Sequence, residues 1–312
     1  MKKKYKIAIF VLLFLGAIAL LGVYLRGVNV QILNPAGTIG QKERHLIIFA
    51  AALSSVVVIP VFTLLFVILW RYRAGNKNAT YLPDWDRNAL FESIWWLVPT
   101  GLIVILSVIT WNSSHQLDPY RAISSNVKPL HVQVVALDWK WLFIYPDQNI
   151  ATVNYLEVPV NTPVSFQITS DAPMNSFWIP QLGGQIYAMP GMSTQLQLMA
   201  SKVGSYNGSS ANISGVGFAG MKFKTRAVNE GDFDTWVESA RHSPLQLSQT
   251  MYDGLAKASQ NNAPATYASV QQNLYVTIVM KYMMPMPEPK DMTTNTMQMS
   301  APAMSNMQGM GM

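Results

Sequence analysis

Residues 46–70 form a run of 25 positions without a charged side chain, closed by Arg44 before it and by Arg71 and Arg73 after it. At 1.5 Å per residue a helix of that length covers about 37 Å, more than the hydrocarbon core of a bilayer. The run is therefore predicted to span a membrane, with Pro60 as a kink and Ser54 and Ser55 as a small patch for packing on another helix. Residues 94–111 are a second uncharged run, with Trp95, Trp96 and Trp111 at its ends, where amphipathic rings favour the membrane interface. Two such spans so close together predict a hairpin.

Composition agrees with a membrane protein. Charged residues make up 12% of the 312, against roughly 25% in an ordinary globular chain. The net charge of +6 is unevenly placed. Residues 1–112 hold 11 Lys+Arg and 4 Asp+Glu, or +7, whereas residues 113–312 hold 11 and 12, or −1. The basic excess thus flanks the apolar runs, as cytoplasmic Lys and Arg do, and no basic face remains for nucleic acid. The absence of Cys from the sequence excludes disulfides, thiolate metal sites and a cysteine nucleophile. The four His residues, His45, His115, His131 and His242, share no ligand spacing.

A third apolar stretch, residues 7–25, follows Lys2, Lys3, Lys4 and Lys6. This is the layout of a secretory signal or an uncleaved signal anchor, and residues 1–27 are read as one or the other. Arg71, Arg73, Lys77 and Arg87 place the loop at 71–93 in the cytoplasm. The hairpin, taken as residues 28–112, then runs out, in and out again, and the rest of the chain is expected on the outer face.

From residue 130 the helical period gives way to short alternating runs at 131–137, 153–158, 164–169 and 194–199. Asn161-Thr162-Pro163, Gly183-Gly184, Pro190-Gly191 and Asn207-Gly208 read as breakers between strands. A β-sandwich is predicted, in a domain taken as 113–228. Residues 232–241 read as a helix with Phe233, Trp236, Val237 and Ala240 on one face, opening a helical appendage over 229–282. The tail, 283–312, holds 10 Met among Pro, Ser, Gln and Gly and is expected to be disordered.

Several segments carry a family resemblance over nearly the whole chain. They are the hairpin, Asp138-Trp139-Lys140-Trp141 with Phe143-Ile144-Tyr145-Pro146, and the run from Met174 through Trp178 to Gly183. Gln185-Ile186-Tyr187-Ala188-Met189 and the run from Gly215 through Phe218 to Lys224 complete the set. Together they resemble subunit II of the haem-copper respiratory oxidases, and within it the bo-type ubiquinol oxidase branch. The resemblance implies a membrane-anchored α + β protein: a transmembrane hairpin, then an outer cupredoxin-like β-sandwich with a C-terminal helical appendage.

In copper-containing members that domain holds a dinuclear copper centre on a His followed by Cys-x-Glu-x-Cys-x3-His-x2-Met. At the matching positions this sequence has Asn175, Ser210, Asn212, Ser214, Phe218 and Met221. Only Met221 could ligate, and one thioether among amide, hydroxyl and phenyl groups will not hold two coppers. The resemblance therefore implies a subunit without metal of its own, in a complex that oxidises ubiquinol from the membrane quinol pool, reduces oxygen to water and pumps protons. Haems and copper are expected in a large subunit I, with smaller membrane subunits III and IV as further partners. The near-neutral outer domain suits a complex that does not dock cytochrome c, since a basic cytochrome would be steered by a strongly acidic face. The implied location is a bacterial inner membrane, multi-pass, with the C-terminal domain on the periplasmic side.

By the same resemblance, Glu92 stands at the entrance of a proton channel. Judged alone it is a first-turn Glu favoured by the helix dipole. Trp139 and Trp141 match an aromatic segment near the copper centre of relatives and are expected here as interface aromatics against the large subunit. A different reading is a stand-alone, membrane-tethered, cupredoxin-like protein that handles copper through its Met-rich tail.

Overall fold

The computed structural model describes residues 30–76, 79–80 and 87–283, with the single positions 16, 20 and 22 besides. Those single positions apart, the signal or anchor expected over 1–27 lies outside the described residues, as do Lys77 and all of the Met-rich tail after Met283.

The two uncharged runs are the long helices α1 (Thr38–Arg71) and α2 (Ala89–Gln116). Helix α1 continues through Pro60, and Ser55 and Thr63 return their hydroxyls to the Ala51 and Ile59 carbonyls one turn back. Asn88 caps α2, its side chain accepting from the Leu90 and Phe91 amides. The apolar windows of both helices bury nothing within this chain. Lipid or another subunit must cover them.

The chain just before α1 is fastened to the outer domain. Ala36 N and Gly37 N donate to the Gln181 carbonyl at 2.7 and 3.1 Å, and Gly40 N donates to the Leu182 carbonyl at 2.9 Å. Gly37 also bridges to Ala200. The approach requires glycine, because a Cβ on Gly37 would lie 2.5 Å from the Leu182 oxygen.

The outer domain packs two mixed sheets face to face. One has the order β11-β3-β2-β1-β5-β8 and the other β4-β10-β9-β6-β7. The strands are β1 (Leu130–Leu137), β2 (Lys140–Tyr145), β3 (Ile150–Val153), β4 (Tyr155–Pro159), β5 (Val164–Ser170) and β6 (Asn175–Trp178). They continue with β7 (Ile186–Ala188), β8 (Thr194–Leu198), β9 (Gly204–Ser210), β10 (Lys222–Val228) and β11 (Ala265–Tyr267). Between the sheets lies an aromatic core: Phe177 stacks on Phe223 at 5.3 Å and meets Trp141 edge-on at 5.4 Å.

Three features differ from the sequence reading. The run at 153–158 is not one strand but two, β3 and β4, which belong to opposite sheets. The corner is Asn154, at φ 54°, whose side chain accepts from Trp141 N and donates to the Asn262 carbonyl, both at 2.9 Å. Asn207-Gly208 is not a break but the middle of β9, paired with Lys224 and Phe223 of β10. Glycine stands there because a Cβ on Gly208 would fall 2.1 Å from the Phe223 ring. The appendage is not purely helical: besides α3 (Glu230–Arg241), α4 (Gln249–Ala256) and α5 (Leu274–Met280), it supplies strand β11 to the edge of β3.

The predicted apolar face of α3 is as expected, with Phe233, Val237 and Ala240 buried and Trp236 against Tyr145. Helices α4 and α5 cover the other face of the six-stranded sheet, where Tyr252, Leu274 and Ile278 pack on Val135, Leu142 and Ile144. Strand β2 is consequently buried on both faces. Its sequence reads as a continuous run rather than an alternation.

Candidate functional site

The positions that match copper ligands do come together, at the ends of β6 and β9 and in the loop between β9 and β10. Asn175 opens β6 and is buried. Its amide donates to the Pro173 carbonyl at 2.8 Å, and its Oδ1 accepts from the Ser210 hydroxyl at 3.0 Å. Ser210 Oγ in turn accepts from the backbone amides of Ser176 and Asn212, each at 3.4 Å. The Asn212 side chain donates to the Met174 carbonyl at 2.8 Å, tying the loop to the segment before β6. Met221 is fully buried, and its carbonyl accepts from Ser210 N at 3.2 Å.

Trp139 holds the same loop from outside. It takes a left-handed backbone conformation, φ 61°, and its indole N–H donates to the Ser214 carbonyl at 3.3 Å. A Cβ on Gly217 would lie 2.3 Å from that ring, so the loop can close over Trp139 only with glycine there. The half-buried Phe218 opens a short 3-10 turn that leads into Met221.

These donors do not fit a dinuclear copper site. Amide and hydroxyl groups are hard ligands, Asn175 and Ser210 already satisfy each other, and no thiolate or imidazole is present to bridge two soft ions. Among the described residues no group of three or more His, Cys, Asp or Glu is placed to hold a metal. What these positions form is a hydrogen-bonded network. Ser210→Ala should therefore cost about 1–2 kcal/mol, by leaving Asn175 Oδ1 buried without its donor. Thermal unfolding of the purified chain measures the loss.

The two tryptophans separate. Trp139 is part-exposed, whereas Trp141, expected as an interface aromatic, is fully buried among Phe177 and Phe223 and cannot touch a partner. The reason is the turn: Trp141 lies within β2 and enters the sandwich, whereas Trp139 stands before the strand, in the left-handed turn between β1 and β2.

Glu92 is not part of this cluster. It lies half-buried in the first turn of α2, its backbone amide donating to the Asn88 carbonyl. From there to the end of α2 at Gln116 is about 36 Å of helix, so it sits at the opposite end of the hairpin from the sandwich.

A second polar centre escapes sequence reading altogether. Asp171, in the loop from β5 to β6, has a side chain only 1% exposed. It accepts from Tyr252 at 2.6 Å, from Lys281 Nζ at 2.7 Å and from Tyr282 at 2.5 Å. Burial pushes this carboxyl up, but the hydrogen bonds from Lys281, Tyr252 and Tyr282 prevail and hold it below its ordinary value. Its partners lie 81 to 111 residues away, which is why no local signal marks it.

The family description "Cytochrome C oxidase subunit II, periplasmic domain" matches residues 146–228, and "COX Aromatic Rich Motif" matches residues 241–286. The cytochrome bo(3) ubiquinol oxidase subunit 2 of Pseudomonas putida is 49% identical over 281 residues, 90% of this chain and 88% of that one. This chain belongs to the ubiquinol oxidase subunit 2 family. The ubiquinol oxidase subunit 2 of Acetobacter aceti is 48% identical over 91% of this chain and 92% of its own. The quinol oxidase subunit 2 of Bacillus cereus is 39% identical over 73% and 79%. As a subunit 2 chain, this protein is a membrane-anchored component of a ubiquinol oxidase complex, and its sandwich is the periplasmic domain. The Asp171 partners Tyr252, Lys281 and Tyr282 all fall within the aromatic-rich motif.

Proposed function

We propose that this chain is the second subunit of a bo-type terminal oxidase that oxidises ubiquinol, reduces oxygen to water and pumps protons, and that it carries no redox centre of its own. The observation behind this is the Asn175–Ser210–Asn212 hydrogen-bond network, at positions that the resemblance matches to copper ligands. A soluble one-electron donor needs an outer relay metal to reach haems in the membrane, whereas quinol is already dissolved in the bilayer. The subunit then serves as a scaffold: its hairpin crosses the inner membrane twice and packs on subunit I, which holds the haems and copper, alongside subunits III and IV. Trp139 is an interface aromatic in this arrangement. Family membership does not favour a stand-alone copper-handling protein.

Purification of the tagged chain from its native membrane should bring down a haem-bearing large subunit, with quinol oxidase activity and no cytochrome c oxidation. Copper in the preparation should follow the large subunit, and the separated chain should show no visible copper band. A copper band on this chain overturns the proposal.

Glu92 is the residue proposed to collect protons at the cytoplasmic end. An intramembrane or membrane-edge carboxyl is expensive to keep and suits a proton path. Glu92→Gln should slow steady-state oxygen reduction by about threefold or more while leaving the reduction of haem by quinol unchanged, read by stopped-flow absorbance.

A further inference from the structure

The alternation of β10 sets a row of cations on the outer face of the second sheet. Phe223, Thr225 and Ala227 point into the sandwich and are buried, so Lys222, Lys224 and Arg226 point out and are exposed. Arg226 has a counter-ion, its guanidinium lying 3.8 Å from the Glu157 carboxylate. Lys222 and Lys224 stand opposite Ser209 and Asn207 of β9. Among the described residues, no hydrogen bond or ion pair engages the side chains of Lys222, Lys224, Asn207 or Ser209.

These side chains line one open cleft of about 510 Å³, walled by distant parts of the chain. One wall is Gln31, in the short 3-10 turn Gln31–Leu33 that precedes α1, and the other is Asn262 with Pro264 of the appendage. The second wall is fixed: the Asn262 amide donates to the Ser259 carbonyl at 3.1 Å, and the Asn262 carbonyl accepts from Asn154 at 2.9 Å. No Asp or Glu lines the cleft. Alternate residues of a strand lie about 7 Å apart, so one anion can be reached by both ammonium groups. Because residues 113–312 sum to −1, that attraction belongs to the cleft and not to a field of the whole domain.

The depth of the cleft names the anion. Ile32, next to Gln31, lines a common cavity with Leu46 and Ile47 of α1, and Leu46 opens the uncharged run. Gln31 is thus held beside the outer end of the membrane span, and the two lysines with it. We propose that this cleft binds the phosphate of an anionic phospholipid of the outer leaflet, such as phosphatidylglycerol. Lys222 and Lys224 face the phosphate, while Asn207 and Ser209 hydrogen-bond its oxygens and the head glycerol. The inference rests on the membrane placement proposed above. Phosphate esters are concentrated in the headgroup layer, and a lipid already confined to the bilayer forfeits less freedom on binding than an ion drawn from water.

The test uses the whole oxidase in phosphatidylcholine vesicles containing a trace of phosphatidylglycerol with a diazirine near the glycerol end of one acyl chain. After illumination, lipid attached to residues 31–47 and 204–226 is mapped by mass spectrometry. It should exceed by about tenfold the labelling by phosphatidylcholine with the same diazirine. Lys222→Gln with Lys224→Gln should bring the two lipids level, whereas Lys222→Arg with Lys224→Arg, which keeps both charges, should retain the preference. Equal labelling of the wild-type chain by the two lipids overturns the proposal, as does a preference that persists in the glutamine pair or is lost in a folded arginine pair. Excess inorganic phosphate that abolishes the preference, where chloride of equal ionic strength does not, makes the ligand a soluble phosphate and overturns the lipid assignment. A preference shown by the separated chain but absent from the whole oxidase means that a protein covers the cleft, which overturns it too. Should neither lipid label residues 46–70, the membrane placement fails instead.

Discussion

Replacing Asp171 with alanine is expected to destabilise the outer domain by about 3 kcal/mol and to release the segment that follows α5. Three donors converge on this buried carboxylate, and they behave differently when it is gone. Lys281 is 56% exposed at its side chain, so its ammonium returns to water at little loss. Tyr252 is buried, and its hydroxyl would be stranded without an acceptor. Asp171→Asn should be nearly as harmful, since an amide brings a donor to a place that needs only acceptors. Melting of the purified chain measures the loss, and limited proteolysis should show new cleavage after residue 241. The pH dependence follows from the direction of the shift. The folded-state pKa of Asp171 lies below its ordinary 3.8, so its contribution is complete above about that pH and is lost as pH falls through the lower, folded value. In the alanine variant that part of the acid sensitivity should vanish.

The other large effect belongs to Phe177. Its ring is fully buried, at 5.3 Å from Phe166 and Phe223, 5.4 Å from Trp141 and 6.2 Å from Phe143. Phe177→Ala removes the ring on which four others converge, and a rigid aromatic surround cannot collapse to fill the space. A loss of about 4 kcal/mol is expected, lowering the melting temperature by roughly 10 °C. Phe177→Leu, closer in volume, should lose less than half as much. Because Phe177 is two residues from Asn175 on β6, the alanine variant should also loosen the Asn175–Ser210 contact. Faster hydrogen exchange at the Ser176 and Ser210 amides would report it.

Much of this molecule is legible in its sequence because its physics is local. A run of 25 uncharged residues can do little else than cross a bilayer, and the strands at 131–137 and 164–169 announce themselves by alternation. That the positions matched to copper ligands carry only amide, hydroxyl, phenyl and thioether groups is legible too, once the resemblance supplies the frame. What stays hidden is set by distant partners. Asn154 turns the chain between sheets through contacts with Trp141 and Asn262, and nothing in residues 153–158 signals that turn. Gly208 looks like a breaker until Phe223 is laid across it. Trp141 differs from Trp139 because it lies within β2, whereas Trp139 stands in the left-handed turn before it. Strand β2 loses its alternation because α4 and α5, more than 100 residues later, cover its second face.

The backbone bonds that join Ala36, Gly37 and Gly40 to Gln181 and Leu182 leave no swivel between the first membrane helix and the sandwich. Any tilt of that helix in the bilayer becomes a tilt of the whole periplasmic body, as with a rigid lever. The subunit therefore arrives at assembly with its heading already set, and little rotational freedom is forfeited when its neighbour docks.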